Sequence, residues 1–142
     1  MHVIKENKDW AFLEQYRDKV QAVVNTAKKA IPRSMSTIGG MVVKKYFNGH
    51  ISEIAAISKY LGIDQVDLYA MNLAYEIAQA GWLIQGGCTS AYWGIDGTPY
   101  HIRSLDWGWA KELRECILHV RYENEGFDSV TFPGYVGCLT AW

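Results

Sequence analysis

No cysteine precedes position 88, so no disulfide can tie the first 87 residues to the rest of the chain. The three that exist, Cys88, Cys116 and Cys138, are an odd number, which argues against a full disulfide framework. A Cys116–Cys138 bridge and two unpaired strand cysteines both remain open, the second being preferred. No stretch comes near the roughly 20 apolar residues that would span a bilayer. The first nine residues, Met1 to Asp9, are polar and charged and lack the apolar centre of a signal peptide, so the expected location is the cytoplasm. A charge excess is missing too. The formal net charge is −1, with acidic and basic residues interspersed, which removes the electrostatic case for a nucleic-acid partner. His2, His50 and His119 have no metal-ligand spacing, and no cofactor is expected. Internal repeats and low-complexity tracts are also lacking.

What is present is enough apolar material, 49% of 142 residues, for a sizeable core in one domain. Up to about position 80 it recurs with a helical period. Phe12, Leu13, Tyr16, Val20, Val23, Val24, Ala27 and Ile31 predict a helix that Pro32 stops. Ile38, Met41, Val42 and Tyr46 predict a second, weakened by Gly39-Gly40. After a break at Asn48-Gly49, Ile51, Ile54, Ile57 and Leu61 make a third stripe, with Gly62 placed as a C-terminal cap. Asp64 is a good N-cap for a fourth helix carrying Val66, Leu73, Ala74 and Ile77, and Asp67 suits its first turn. The Lys28-Lys29 and Lys44-Lys45 pairs read as solvated helix faces, with contact to an anionic lipid surface as the alternative.

Beyond about position 86 the pattern becomes β-branched and aromatic. Cys88-Thr-Ser-Ala-Tyr-Trp-Gly94 and Tyr100-His-Ile-Arg-Ser-Leu-Asp106 flank an Asp96-Gly97 turn signal. Residues 113–122 and 127–132 predict two more strands joined through Asn124-Glu125-Gly126, and Tyr135 to Thr140 a last short one. Helices first and antiparallel strands second predict an α+β fold.

A two-residue turn at Asp96-Gly97 sets Ser90 opposite Arg103, Cys88 opposite Leu105 and Gly87 opposite Asp106. Cys88, Ser90, His101, Arg103 and Leu105 then share one face, and Cys88 and Arg103 are diagonal neighbours, roughly 7–8 Å apart at the backbone. A guanidinium at that range stabilises a thiolate. His101 reads as a structural strand histidine rather than as a base. Gly86-Gly87 leaves the approach to Cys88 unencumbered. Were the bond before Cys88 cut, its free α-amine, titrating at about 7.7–8.0, would serve as general base for its own thiol.

Three segments carry a family resemblance. Gly87-Cys88-Thr89-Ser90 followed by His101-Ile102-Arg103-Ser104-Leu105-Asp106 resembles the Cys-Thr-Ser … His-Gly-Arg-Asn-Leu/Met-Asp signature of the acid ceramidase and N-acylethanolamine amidase family. Upstream, Gly62-Ile63 … Asp67-Leu68 … Asn72-Leu73-Ala74-Tyr75-Glu76 resembles the segment before that family's cleavage site. Downstream, Phe132-Pro-Gly-Tyr-Val-Gly-Cys-Leu-Thr140 resembles its Phe-Ala-Gly-Tyr-Val-Gly-X-Leu-Thr. The match covers roughly residues 50–142, with departures at Ile102 and Ser104, where the family commonly has Gly and Asn.

The resemblance implies the front portion of an N-terminal-nucleophile αββα sandwich, with residues 1–87 as an α-subunit-like segment and 88–142 as the start of the nucleophile sheet. It implies autocatalytic cleavage between Gly87 and Cys88, Cys88 as nucleophile, Arg103 steadying it and Asp106 holding the new α-amine. The implied substrates are N-acyl amides with a fatty chain, ceramide-like or N-acylethanolamine-like. Trp93, Trp107, Trp109 and Tyr135, with Trp142, are candidates for lining an acyl pocket, against ordinary core packing. The family draws an oxyanion asparagine and a further arginine from later in the chain, beyond Trp142. The expectation is a truncated front part that stays uncut at Gly87–Cys88. The alternative is a non-catalytic module that self-associates through unpaired strand edges.

Overall fold

The helical period of the first half yields four helices: α1 (Arg17–Ala30), α2 (Arg33–Tyr46), α3 (Asn48–Leu61) and α4 (Gln65–Asn72). The computed structural model describes residues 3–5, 10–74, 87–106, 111–122, 126–137 and 139–141. The side chains of residues 3–5, Asn48, Leu105 and Asp106 lie outside that description, as do Trp107, Trp109, Cys138, Trp142 and the predicted continuation of α4 past residue 74. A 3₁₀ turn over Trp10–Tyr16 leads into α1, so the long first helix predicted from Phe12 is α-helical only from Arg17. Ile31 ends α1, and Pro32 both stops it and begins α2. Gly62 closes α3 in the left-handed conformation, and the Asp64 carboxylate accepts the Val66 N–H of α4 at 2.8 Å.

The α2 stripe faces the other way from the one expected. Ile38 and Met41 are 61% and 65% exposed, while Ser36, Gly40 and Val43 face inward. The reason is Gly40. A Cβ there would lie 2.6 Å from ring carbons of Tyr69 on α4, so α2 meets α4 along its side-chain-free side. Asp67, on α4, is largely buried and takes Lys28 at 2.6 Å and Arg33 at 3.1 Å, which ties α1, α2 and α4 together. None of the described helices is long and apolar enough to cross a membrane.

The strands are β1 (Val3–Lys5), β2 (Gly87–Ile95), β3 (Thr98–Asp106), β4 (Leu118–Tyr122), β5 (Phe127–Thr131) and β6 (Thr140–Ala141). They form a four-stranded sheet in the order β1-β4-β5-β6 and a two-stranded hairpin, β2-β3. With the helices this is an α+β arrangement. Three features differ from expectation, the first being the last strand, expected over Tyr135 to Thr140 and found only at Thr140–Ala141. β1 lies in the half of the chain expected to be helical, and it pairs with β4 in parallel. The strand expected from 113 begins only at Leu118, because Lys111–Glu115 is a 3₁₀ turn. Leu113 and Cys116, three residues apart, both reach the core, which a turn permits and an alternating strand does not. Cys116 is a free, buried thiol outside any strand.

One hydrophobic cluster joins the halves: Leu13, Val24, Leu68 and Met71 pack with Leu113, Cys116, Leu118 and Phe132. The buried Asn72 side chain completes the joint. Its Nδ2 donates to the carbonyls of Leu68 and Gly134, each at 3.0 Å, and its Oδ1 accepts the Val136 N–H at 2.8 Å. Gly134 has φ +82°, and a Cβ there would meet Met71 Cε at 3.0 Å and Val20 Cγ1 at 3.1 Å. The backbone turn therefore lies directly against α1 and α4.

Candidate active site

Asp96 and Gly97 have φ of +51° and +79°, so both central residues of the β2-β3 turn are left-handed, as a two-residue type I′ hairpin requires. The turn fixes the register. Cys88 pairs with Leu105, Ser90 with Arg103, Tyr92 with His101 and Gly94 with Pro99, while Gly87 lies opposite Asp106. Side chains alternate across the ribbon, so Cys88, Ser90 and Tyr92 share a face with His101 and Arg103. Ile102 and Ser104, the two departures from the family pattern, belong to the opposite face, opposite Ala91 and Thr89.

Arg103 connects the hairpin to the larger sheet. Its Nη2 donates to the exposed Cys88 Sγ at 3.2 Å. Its Nη1 donates to the Leu139 carbonyl and, at 2.6 Å, to Thr140 Oγ1 on β6. A cavity of about 670 Å³ lies between the hairpin and the sheet, lined by Tyr92, Pro99, Tyr100, His101 and Arg103 and by Val130, Thr140 and Ala141; Arg103 lines it, and Cys88 does not. That volume lies within the range of about 300–1,000 Å³ usual for small-molecule sites. The Tyr92 and His101 rings stack along its wall, with centroids 4.0 Å apart.

The expected site residues distribute as follows. Cys88 and Arg103 are brought together. Asp106 is placed by its backbone opposite Gly87, across from the bond that precedes Cys88. Trp93 stands on the face away from Cys88, stacked on Tyr100 at 5.8 Å, and Tyr135 packs on Phe132 at 5.0 Å beside the core. Neither lines the cavity, where Tyr92 and His101 stand instead. Trp107 and Trp109 are outside the described residues. Leu139 and Thr140 were not singled out. Their only signal was membership of the downstream motif, to which no chemistry attached.

The other cysteine and histidine environments differ. Burial pushes the Cys116 thiol above its ordinary range, and its Sγ lies 3.3 Å from the Glu112 carbonyl. His119 Nε2 lies 2.8 Å from Asp128 Oδ2. The bonds from Arg121, then from His119, hold the Asp128 carboxyl below the usual carboxylate range, a structural ion cluster within the sheet. Chemically, the hairpin offers an exposed thiol with a cationic donor on its sulfur, and that donor lines a cavity of small-molecule size.

Comparison with known proteins gives relatives of partial length. An N-acylethanolamine-hydrolyzing acid amidase from Cavia porcellus is 30% identical over 126 residues, which is 84% of this chain and 34% of that protein. The enzyme of the same name from Rattus norvegicus is 30% identical over 127 residues, 84% of this chain and 33% of that protein. An uncharacterized protein of Acanthamoeba polyphaga mimivirus is 32% identical over 95 residues, 66% of this chain and 27% of that protein. The chain thus spans between about a quarter and a third of the length of these curated relatives. No family profile matches the chain, and no solved structure matches it.

Proposed function

We propose that this chain is part of a cysteine N-terminal-nucleophile amidase of the acid ceramidase and N-acylethanolamine amidase family, acting on linear N-acyl amides. The observation that carries the reading is the Arg103 guanidinium on the Cys88 sulfur, 3.2 Å away, on the hairpin face that borders the cavity. The amidase names of the mammalian relatives support it.

In this reading the complete protein cuts itself between Gly87 and Cys88. Cys88 Sγ then attacks the substrate's amide carbonyl while the new α-amine accepts the thiol proton. The tetrahedral intermediate collapses, the carbon–nitrogen bond breaks, and the α-amine hands the proton to the departing amine. Water hydrolyses the resulting thioester, which releases the carboxylic acid and restores the thiol. Arg103 supplies positive charge at the sulfur, and Asp106 holds the α-amine. The cavity walled by Tyr92 and His101 receives part of the small-molecule amide. No metal or other cofactor takes part. The test is hydrolysis of an N-acyl amide by the full-length protein. Cys88→Ala is expected to abolish fatty-acid release and to leave the full-length protein as one species by intact mass; unchanged turnover would sink the assignment.

A second reading, from a different class, is a non-catalytic module that associates with itself. It is favoured by the β2-β3 ribbon, along whose outer edges no third strand pairs among the described residues. Tyr92, Ile95 and Ile102 stand exposed on that ribbon. Sheet edges of this kind pair readily with other chains. Light scattering of the 142-residue chain is expected to show oligomers in this case. A strictly monomeric, folded chain counts against it.

A further inference from the structure

We propose that Thr140 is a positioning residue that aims Arg103 at Cys88; the proposal rests on the reading of Cys88 as nucleophile. An arginine on a hairpin has a long side chain with many rotamers, and a charge is useful only where it is held. The guanidinium is a rigid planar fork, so fixing one nitrogen fixes the direction of the others. Here Nη1 is held by two acceptors on neighbouring residues, the carbonyl of Leu139 just before β6 and Thr140 Oγ1 at its start, at 2.6 Å. Nη2 is thereby turned onto Cys88 Sγ at 3.2 Å. The two acceptors are themselves placed from both sides. Thr140 pairs with Val130 in the sheet ladder. A few residues upstream, the Asn72 side chain clamps the Gly134 carbonyl and the Val136 N–H. The line of contacts thus runs from β5 through Thr140 to Arg103 and to the sulfur. Leu139 contributes a backbone atom that any residue would supply. The hydroxyl of Thr140 is the part a substitution can remove.

Thr140→Val keeps the branched shape and removes the oxygen; Thr140→Ser keeps the oxygen and removes the methyl group; Thr140→Ala removes both. The readout is the rate at which iodoacetamide alkylates Cys88 near neutral pH, followed by peptide mass. The thiolate is the form that reacts, and a cationic donor held on the sulfur supports it. The buried Cys116 reports on opening of the fold in the same sample. Thr140→Val and Thr140→Ala are expected to slow Cys88 alkylation about fivefold, what one ordinary hydrogen bond is worth. Thr140→Ser is expected to stay within about twofold of the parent. Cys116 labelling should not change in any of them. Equal rates in Thr140→Val and the parent overturn the proposal. So does an equal loss in Thr140→Val and Thr140→Ser, or faster labelling of Cys116, because either makes the residue's role one of packing. Arg103→Met separates the two levels. If it slows Cys88 while Thr140→Val does not, only the positioning role fails. If it leaves Cys88 unchanged, the pairing of Arg103 with the nucleophile fails with it.

Discussion

Gly134 concentrates three demands in one residue. Its φ of +82° belongs to the left-handed region, its carbonyl accepts from Asn72, and its Cα faces Met71 and Val20 at contacts that a Cβ would bring to 3.0 and 3.1 Å. A non-glycine residue in that conformation costs about 1–2 kcal/mol from sterics alone, and the two side chains must also move. Gly134→Ala is therefore expected to lower stability by about 2 kcal/mol or slightly more, several degrees in Tm for a chain of this size, by thermal or urea unfolding. At this scale the sequence was informative where a local rule set the answer. Asp96-Gly97 dictates a two-residue turn, and the turn dictates which side chains join Cys88 on one face. It was silent on the bond from Thr140 to Arg103, which spans 37 residues and depends on where β6 comes to rest.

Among the elements, α4 shows how a short helix is held. It runs only from Gln65 to Asn72 and is anchored at its start by Asp64, whose carboxylate takes the Val66 N–H and the Arg33 guanidinium. The Val66 bond first, then the Arg33 bond, hold the Asp64 carboxyl below its ordinary range. A depressed carboxylate stabilises the fold fully above its unfolded value, about pH 4, and that stability disappears as pH falls through the lower folded value. Asp64→Ala is expected to cost about 1 kcal/mol at neutral pH. Asp64→Asn keeps a capping oxygen and should flatten this part of the acid limb; urea unfolding between neutral and acidic pH reads both. The cap was legible because capping chemistry is local. The buried face of α2 was not, because Ile38, Met41 and Val42 make as good a periodic stripe as Ser36, Gly40 and Val43. Only the approach of Tyr69 to Gly40 decides between them. The strand expected from 113 overlaps the Lys111–Glu115 turn for a related reason: the apolar residues suit either structure until the core claims Leu113 and Cys116 together.

For the molecule as a whole, the change of pattern near position 86 marks a change of secondary structure, yet the hydrophobic core ignores it. Helical residues and strand residues fill one cluster, and the largest sheet begins with a strand from the extreme N-terminal side. That parallel pairing of Val3–Lys5 with residues 119–121 was invisible in the sequence, since three residues carry no periodicity and a parallel partner leaves no turn signal. It has a consequence for the bond between Gly87 and Cys88. The ladder, the Asn72 clamp and the core all bridge that bond, so breaking it would create new chain ends without separating the parts. What changes is the order of the unfolding reaction. An intact chain loses its structure in a unimolecular step, at a midpoint independent of dilution. A nicked one must also dissociate, so its stability acquires a dependence on concentration, and the linker's effective molarity is replaced by the protein's own.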